Sequence, residues 1–130
     1  MTPNNNGATK KHRILIVDDN VAFCDTLKFF LEANSYPVTG VYSSLEAIIE
    51  FKKDRRSILV LDIKLEPGIS GADLYFTIKS LEPDVRVILM TAFRQEMDPI
   101  IEEALRRGAR GCLNKPFDPD ELIKFIEEIG

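Results

Sequence analysis

The chain has 130 residues, of which 45% are hydrophobic and 29% charged, a composition that fits one compact globular domain. Its formal net charge of −4 argues against a surface that binds nucleic-acid phosphates or anionic lipid directly. No apolar run reaches the roughly 20 residues that span a bilayer, and no N-terminal segment resembles a secretory signal. Two cysteines without metal-like spacing favour a reduced, cytoplasmic setting.

The first residues differ in character from the rest of the chain. Residues 1–11 are polar and include three consecutive asparagines, so we predict a disordered leader followed by a folded domain over residues 12–130. From His12 onward, short aliphatic runs alternate with longer amphipathic segments, the pattern of strand–helix units in a parallel sheet. The predicted strands are residues 13–17, 37–41, 58–61, 86–90 and 111–113. Three of these runs are almost wholly apolar, which is typical of central strands.

The segments between the strands have helical periodicity. Apolar residues recur there at helical spacing and predict core-facing stripes: Phe23, Leu27, Phe30 and Leu31; Leu74, Ile78 and Leu81; Leu122, Phe125, Ile126 and Ile129. Ser43 with Glu46, and Asp118 with Pro119, indicate helix starts, while Gly108 indicates the end of the fourth helix. Five alternating units predict an open, doubly wound α/β sheet with helices on both faces.

Polar residues follow four of the predicted strands. Asp18 and Asp19 follow the first strand, Asp62 the third and Thr91 the fourth, and Lys115 comes two residues after the fifth. Ligands of open parallel sheets bind at the carboxyl ends of the strands. We therefore expect these carboxylates, the hydroxyl and the ammonium group to meet at one edge of the sheet.

This combination of residues favours magnesium-dependent phosphoryl chemistry. Adjacent carboxylates repel one another unless a cation lies among them, and Mg²⁺ needs few protein carboxylates. Zinc is disfavoured because the pocket offers no His or Cys ligand set. With a metal bound, one carboxylate can attack phosphorus and form an aspartyl phosphate. The metal and Lys115 would neutralise the phosphoryl oxygens, and Thr91 would donate a hydrogen bond to one of them.

Four segments, in this order, resemble the receiver domain of two-component response regulators, including the chemotaxis regulators: ILIVDDN, LVLDIKLEPGISG, VILMTAF and LNKPFDPDEL. The resemblance covers about residues 12–129. It implies a flavodoxin-like fold with a five-stranded parallel sheet of strand order 2-1-3-4-5. It also implies a histidine kinase or phosphotransfer protein as phosphoryl donor. Output to a further domain or protein would pass through the face formed by helix 4, strand 5 and helix 5.

The resemblance implies a role for each acidic residue. Asp62 would be the phosphoryl acceptor and one of the metal-binding residues, and Asp19 would be a direct Mg²⁺ ligand. Asp18 would reach the metal through water, and Lys64 would contribute its backbone carbonyl. Such a domain is no enzyme toward other substrates, because it catalyses only its own Mg²⁺-dependent phosphorylation and dephosphorylation, and it needs no organic cofactor.

The other positions of the site follow the family pattern at Thr91 and Lys115 and depart from it at two places. Thr91 would be the switch hydroxyl and Lys115 the phosphate-binding lysine, with Pro116 a candidate for a cis peptide bond. Members commonly carry an aromatic switch residue three positions before the lysine, where this chain has Cys112. The family proline is also shifted, since Pro67 lies five residues after Asp62 rather than four.

Three other interpretations fit some of the same residues. Asp62 and Lys115 could form a purely structural ion pair. A haloacid-dehalogenase-like phosphatase also uses an aspartyl nucleophile, but it needs a second aspartate where this chain has Lys64, and a cap domain for which we expect no room. A phosphorylation-independent pseudo-receiver, a binding module with the same fold, is the main alternative because of Pro67 and Cys112.

Overall fold

The computed structural model of the protein describes residues 11–64, 70–92 and 94–129. Within these ranges the strands are β1 (Ile14–Val17), β2 (Val38–Val41), β3 (Ile58–Asp62), β4 (Arg86–Thr91) and β5 (Gly111–Asn114). The helices are α1 (Val21–Ala33), α2 (Ser44–Lys53), α3 (Gly71–Leu81), α4 (Arg94–Arg106) and α5 (Pro119–Ile129). Each end of a predicted strand lies within one residue of the observed end.

The described strands form one parallel sheet of order β2-β1-β3-β4-β5, which confirms the expected doubly wound topology. Ile14 lies opposite both Val38 and Ile58, so β1 is flanked by β2 and β3. The chain therefore leaves β1 in one direction for β2 and crosses back for β3. This reversal opens a crevice at the carboxyl ends of β1 and β3.

Two apolar clusters cover the two faces of the sheet. The first packs the sheet against α2, α3 and α4, and the second packs it against α1 and α5. In β1, Leu15 and Val17 belong to the first cluster, whereas Ile14 and Ile16 belong to the second. This alternation explains why the central strands are apolar at nearly every position, because both of their faces are buried.

The helix-start and helix-end predictions are confirmed. The Ser43 hydroxyl accepts a hydrogen bond from the Glu46 amide at 3.2 Å, and Glu46 Oε1 accepts one from the Tyr42 amide at 3.1 Å. Before α5, Glu121 Oε1 accepts from the Asp118 amide at 3.1 Å. Gly108 follows α4 with φ +109°, a backbone conformation that glycine adopts without strain.

Some predictions fall on parts of the chain that the structure does not describe. The predicted leader, apart from Lys11, and the shifted Pro67 lie outside the described residues. Lys11 donates a hydrogen bond to the Asn34 carbonyl at 2.6 Å, and its Nζ lies 4.0 Å from the centroid of the Tyr36 ring. Among the described helices, none combines the length and apolar character that crossing a bilayer requires.

Candidate functional site

The carboxyl edge of the sheet holds the acidic residues predicted from the sequence in one cavity. The cavity has a volume of about 370 Å³ and is lined by Asp18, Asp19, Asn20, Asp62, Lys64, Ala92 and Lys115. Parallel pairing places these segments together, since the hydrogen-bonding pattern continues beyond the strands from the Asp18 amide to the Val41 carbonyl and from the Lys115 amide to the Thr91 carbonyl. The expected convergence of the strand ends is observed.

The carboxylates of the cavity lie in different environments. Asp18 is fully buried, Asp62 is nearly so, and Asp19 is exposed. Asp18 Oδ1 accepts from the Asn20 amide at 2.9 Å, and Asp62 Oδ1 accepts from the Lys64 amide at 3.0 Å. Each buried carboxylate thus has one oxygen fixed by a backbone N–H, which orients its second oxygen toward the cavity's other groups.

Lys115 bridges the two buried carboxylates. Its Nζ lies 2.5 Å from Asp18 Oδ2 and 3.1 Å from Asp62 Oδ2, and only 15% of its side chain is exposed. The ion pair with Asp62 is one of the alternatives that the sequence suggests, whereas the shorter contact with Asp18 is not apparent from the sequence. The Lys115–Pro116 peptide bond is cis, as the resemblance suggested.

For Asp62 and for Lys115, burial and the nearby opposite charges shift the pKa in opposite directions. Burial raises the pKa of the Asp62 carboxyl above its ordinary value, although the Lys115 charge and the Lys64 amide counteract part of this effect. Burial alone would lower the pKa of Lys115, but the hydrogen bond to Asp18 and the charge of Asp62 outweigh it, so the pKa of Lys115 is raised. Lys115 is therefore a cation at neutral pH.

The donor set of the cavity fits a hard divalent cation. Asp18, Asp19 and Asp62 each offer a carboxylate oxygen, and these atoms all lie within 4.8 Å of one another. A cluster made only of oxygen donors suits Mg²⁺, which holds a few carboxylates and retains water ligands. Among the described residues of the cavity there is no His or Cys that would favour zinc.

Thr91 and Cys112 lie beside the cavity rather than on its surface. Thr91 is fully buried at the end of β4, where it pairs in register with Asn114. Cys112 is half-buried in β5, opposite Leu89, and packs against the apolar cluster of α2, α3 and α4. The residue in place of the usual aromatic switch therefore faces the side of the sheet that carries α4.

The other cysteine, Cys24, is expected to react slowly with thiol reagents. Cys24 is fully buried, and burial, with the nearby charges of Asp18 and Asp25, raises the pKa of its thiol to about 12. At pH 8 the thiolate, which is the reactive form, is therefore almost absent. We expect iodoacetamide to modify Cys112 well before Cys24, as measured by peptide mass spectrometry. Equal rates in the folded protein would contradict this placement of Cys24.

A second cavity lies at the opposite, amino-terminal edge of the sheet. It has a volume of about 330 Å³ and is lined by His12, Arg55, Arg56, Ser57, Glu82, Asp84, Val85 and Arg86. His12 is thus separated from the acidic cavity by the length of the strands.

Sequence reasoning missed further features of the acidic cavity. Ala92 lines it, and Phe23 in the first turn of α1 lies against Lys115, with 4.3 Å between Lys115 Nζ and the ring centroid. Phe23 was assigned only to the core-facing stripe of its helix. The sequence did contain a signal that Phe23 lies near the cavity, because Phe23 comes three residues after Asn20. Asn20 caps α1 and accepts a hydrogen bond from the Phe23 amide at 3.0 Å.

The fold and the acidic cavity together define a class of protein, the flavodoxin-like α/β domains with a cluster of carboxylates at the strand ends. Comparison with known proteins is more specific. Residues 14–127 match the response regulator receiver domain family. The chain is 37% identical to the response regulator SaeR of Staphylococcus aureus over 116 residues, which is 89% of this chain and 49% of SaeR.

Solved structures give the same result. The receiver domain protein of Methanospirillum hungatei superposes with a TM-score of 0.81 at 29% identity, covering 92% of this chain and 93% of that one. The response regulator TrrA of Thermotoga maritima, solved in complex with Mg²⁺ and BeF, gives a TM-score of 0.79 at 28% identity, covering 92% and 99%. The chain belongs to the response regulator receiver domain family. It spans about half the length of SaeR.

Proposed function

We propose that this domain is the phosphoacceptor of a two-component system, and that it receives a phosphoryl group on Asp62 from a histidine kinase or a phosphotransfer protein. The observation that carries the proposal is the environment of Asp62. Its carboxylate ends a buried strand, is fixed by the Lys64 amide at 3.0 Å, and shares a cavity with two further carboxylates and Lys115. Membership of the receiver family supports the same assignment.

We propose Mg²⁺ as the metal of the site, held by Asp18, Asp19, Asp62 and the backbone carbonyl of Lys64. The oxygen-only donor set supports this choice. The complex of TrrA with Mg²⁺ and BeF, in a protein 28% identical to this chain, supports it as well. When bound, the ion would supply positive charge to the phosphoryl oxygens.

Residues of this chain would carry out the other parts of phosphoryl transfer. One carboxylate oxygen of Asp62 attacks the phosphorus of the donor's phosphohistidine, so a P–O bond forms while the P–N bond breaks and its electron pair stays on the imidazole nitrogen. Lys115, already 3.1 Å from Asp62 Oδ2, neutralises charge on the transferred group. The Lys64 amide keeps the carboxylate oriented during attack.

The signal would then pass to the body of the domain. A phosphoryl group adds negative charge beside Thr91, whose hydroxyl would hydrogen-bond to it and bias the loop after β4 between two arrangements. We propose that the face formed by α4, β5 and α5 transmits this change to an output domain or protein. In this proposal the domain works in the cytoplasm, binds no nucleic acid itself and acts catalytically only on its own phosphoryl group.

The test is phosphorylation by a small donor in the absence of any kinase. We expect phosphoramidate with Mg²⁺ to add one phosphoryl mass to the wild type, as seen by intact-protein mass spectrometry, and EDTA to prevent it. Asp62→Asn should gain nothing, whereas Asp73→Asn, which changes an exposed carboxylate of α3, should label normally. Failure of the wild type under conditions that label another receiver domain would favour the pseudo-receiver.

Lys64 is exposed and lines the cavity, and this leads to a separate prediction about the lifetime of the phosphorylated state. In Lys64→Ala the backbone amide that binds Asp62 is retained, but the long side chain at the cavity is lost. We expect water to reach the acyl phosphate more easily, so that autodephosphorylation accelerates about two- to fivefold, equal to about 0.4–1 kcal/mol. Loss of label after donor removal measures it, with exposed Lys52→Ala as control, and unchanged kinetics would remove this role.

A further inference from the structure

Lys115 contacts an aromatic ring in addition to its carboxylate partners. Its Nζ lies 4.3 Å from the centroid of the Phe23 ring, within the range of a cation–π contact. Phe23 in turn packs edge-to-face against Phe117, with 5.9 Å between the centroids and an interplanar angle of 79°. Phe117 follows Lys115 by two residues, so the loop after β5 supplies both the cation and the ring that supports its aromatic partner.

The Phe23 ring adds a third contact to the two carboxylates that bind the Lys115 ammonium group. Lys115 has three N–H donors on a flexible stem, and carboxylate oxygens of Asp18 and Asp62 account for two of them. The Phe23 ring lies within contact distance of the same ammonium group and attracts it through the negative potential of the ring face. The ring also excludes water from that side, which strengthens the neighbouring ion pairs.

We propose that Phe23, supported by Phe117, is a positioning residue that holds the Lys115 ammonium group in the phosphoryl-transfer pocket. The inference rests on the proposed function, because Lys115 matters to the reaction only if Asp62 is the acceptor. The ring does not touch the reacting atoms. Its effect is to keep the ammonium where a transferred phosphoryl group needs a cation, rather than to add a catalytic group.

A purely structural role is the competing explanation, because Phe23 and Phe117 also pack against the apolar cluster of α1 and α5. Phe30 provides a matched control, since it lies two helical turns further along α1 and packs partly buried against the same cluster. Phe23→Leu and Phe30→Leu remove the same ring from the same core. Only the first removes the contact with Lys115.

The first measurement is the phosphorylation rate with phosphoramidate and Mg²⁺, followed by intact mass over a range of donor concentrations. We expect Phe23→Leu to lower the maximal rate about tenfold, with Phe23→Tyr restoring it to within about twofold because the aromatic face is kept. Phe30→Leu should label at the wild-type rate even if it is less stable to heat. Equal rates for Phe23→Leu and wild type, or Phe23→Tyr as slow as Phe23→Leu, would overturn the proposal.

The second measurement does not depend on phosphorylation. The ring current of Phe23 should shift the ε-CH₂ signal of Lys115 upfield in a sample labelled with ¹³C at lysine Cε, and Phe23→Leu should remove that shift while Phe30→Leu keeps it. An unshifted Lys115 signal in the wild type would show that the ring does not hold the ammonium group. If the wild type shows the shift but accepts no phosphoryl group, the proposed function is rejected and the positioning role in phosphoryl transfer with it.

Discussion

Replacement of Lys115 by methionine is expected to destabilise the metal-free domain by about 2–4 kcal/mol. Lys115 contacts Asp18 at 2.5 Å and Asp62 at 3.1 Å, and both carboxylates are buried. Methionine has a similar length but no charge, so it leaves two buried anions facing each other without a counter-ion. We expect somewhat less than the roughly 3–5 kcal/mol that breaking a fully buried ion pair costs, because the cavity opens to water beside Asp19.

Binding of Mg²⁺ should restore much of the stability that Lys115→Met loses. A ligand that binds only the folded state stabilises it, and without Lys115 the carboxylates gain more from a cation. We expect saturating Mg²⁺ to raise the free energy of unfolding more in Lys115→Met than in the wild type, as measured by urea denaturation with and without the ion. Lys53→Met is the control, because it removes a lysine from an exposed ion pair with Glu50 and should cost at most about 1 kcal/mol. A Lys115→Met loss that Mg²⁺ leaves unchanged would contradict this account.

Gly71→Ala is expected to destabilise the domain by about 3 kcal/mol, even though alanine is the better helix former. Gly71 is buried at the start of α3, where an added Cβ would lie 2.2 Å from the Asp62 carbonyl oxygen and 2.5 Å from the Ile63 carbonyl group. These are backbone atoms, so no side-chain rotation relieves the overlap. Either α3 or the segment after β3 must move.

The same substitution should slow phosphorylation, because the displaced segment carries Asp62 and the Lys64 amide that orients it. Thermal or urea denaturation gives the stability change, and labelling with phosphoramidate gives the rate. Thr77→Ala tests the helix itself, since it replaces an exposed residue of α3 and should shift stability by no more than about 0.5 kcal/mol. Stabilisation by Gly71→Ala would mean that helix propensity dominates and that the close approach to Asp62 is not as described.

The fold could be predicted closely because its local signals agree with its packing. The central strands are apolar at nearly every position since the sheet is covered on both faces, and Ile14 and Leu15 indeed face opposite clusters. Helix caps such as Ser43 with Glu46 act within one turn, so their residues are close in sequence. Strand order, by contrast, depends on pairing across the chain and was predicted through the family resemblance.

The acidic residues of the site could be predicted for a different reason. Asp18, Asp19 and Asp62 follow strands, and parallel pairing is enough to place strand ends at one edge. The contacts of Lys115 could not be predicted in the same way. Its flexible side chain contacts Asp18 as well as Asp62. Phe23 reaches Lys115 because of the direction in which α1 leaves the carboxyl edge of the sheet. That direction is a property of helix packing rather than of sequence spacing.

The central claim is that Asp62, and neither of its acidic neighbours, carries the phosphoryl group. Reduction of the phosphorylated protein with borohydride converts the acyl phosphate side chain to that of homoserine, and peptide mass spectrometry then locates the altered residue. We predict homoserine at position 62 only, in an amount that follows the Mg²⁺-dependent gain of phosphoryl mass. Homoserine at position 18 or 19, or a phosphoryl gain that leaves Asp62 unreduced, would contradict the account.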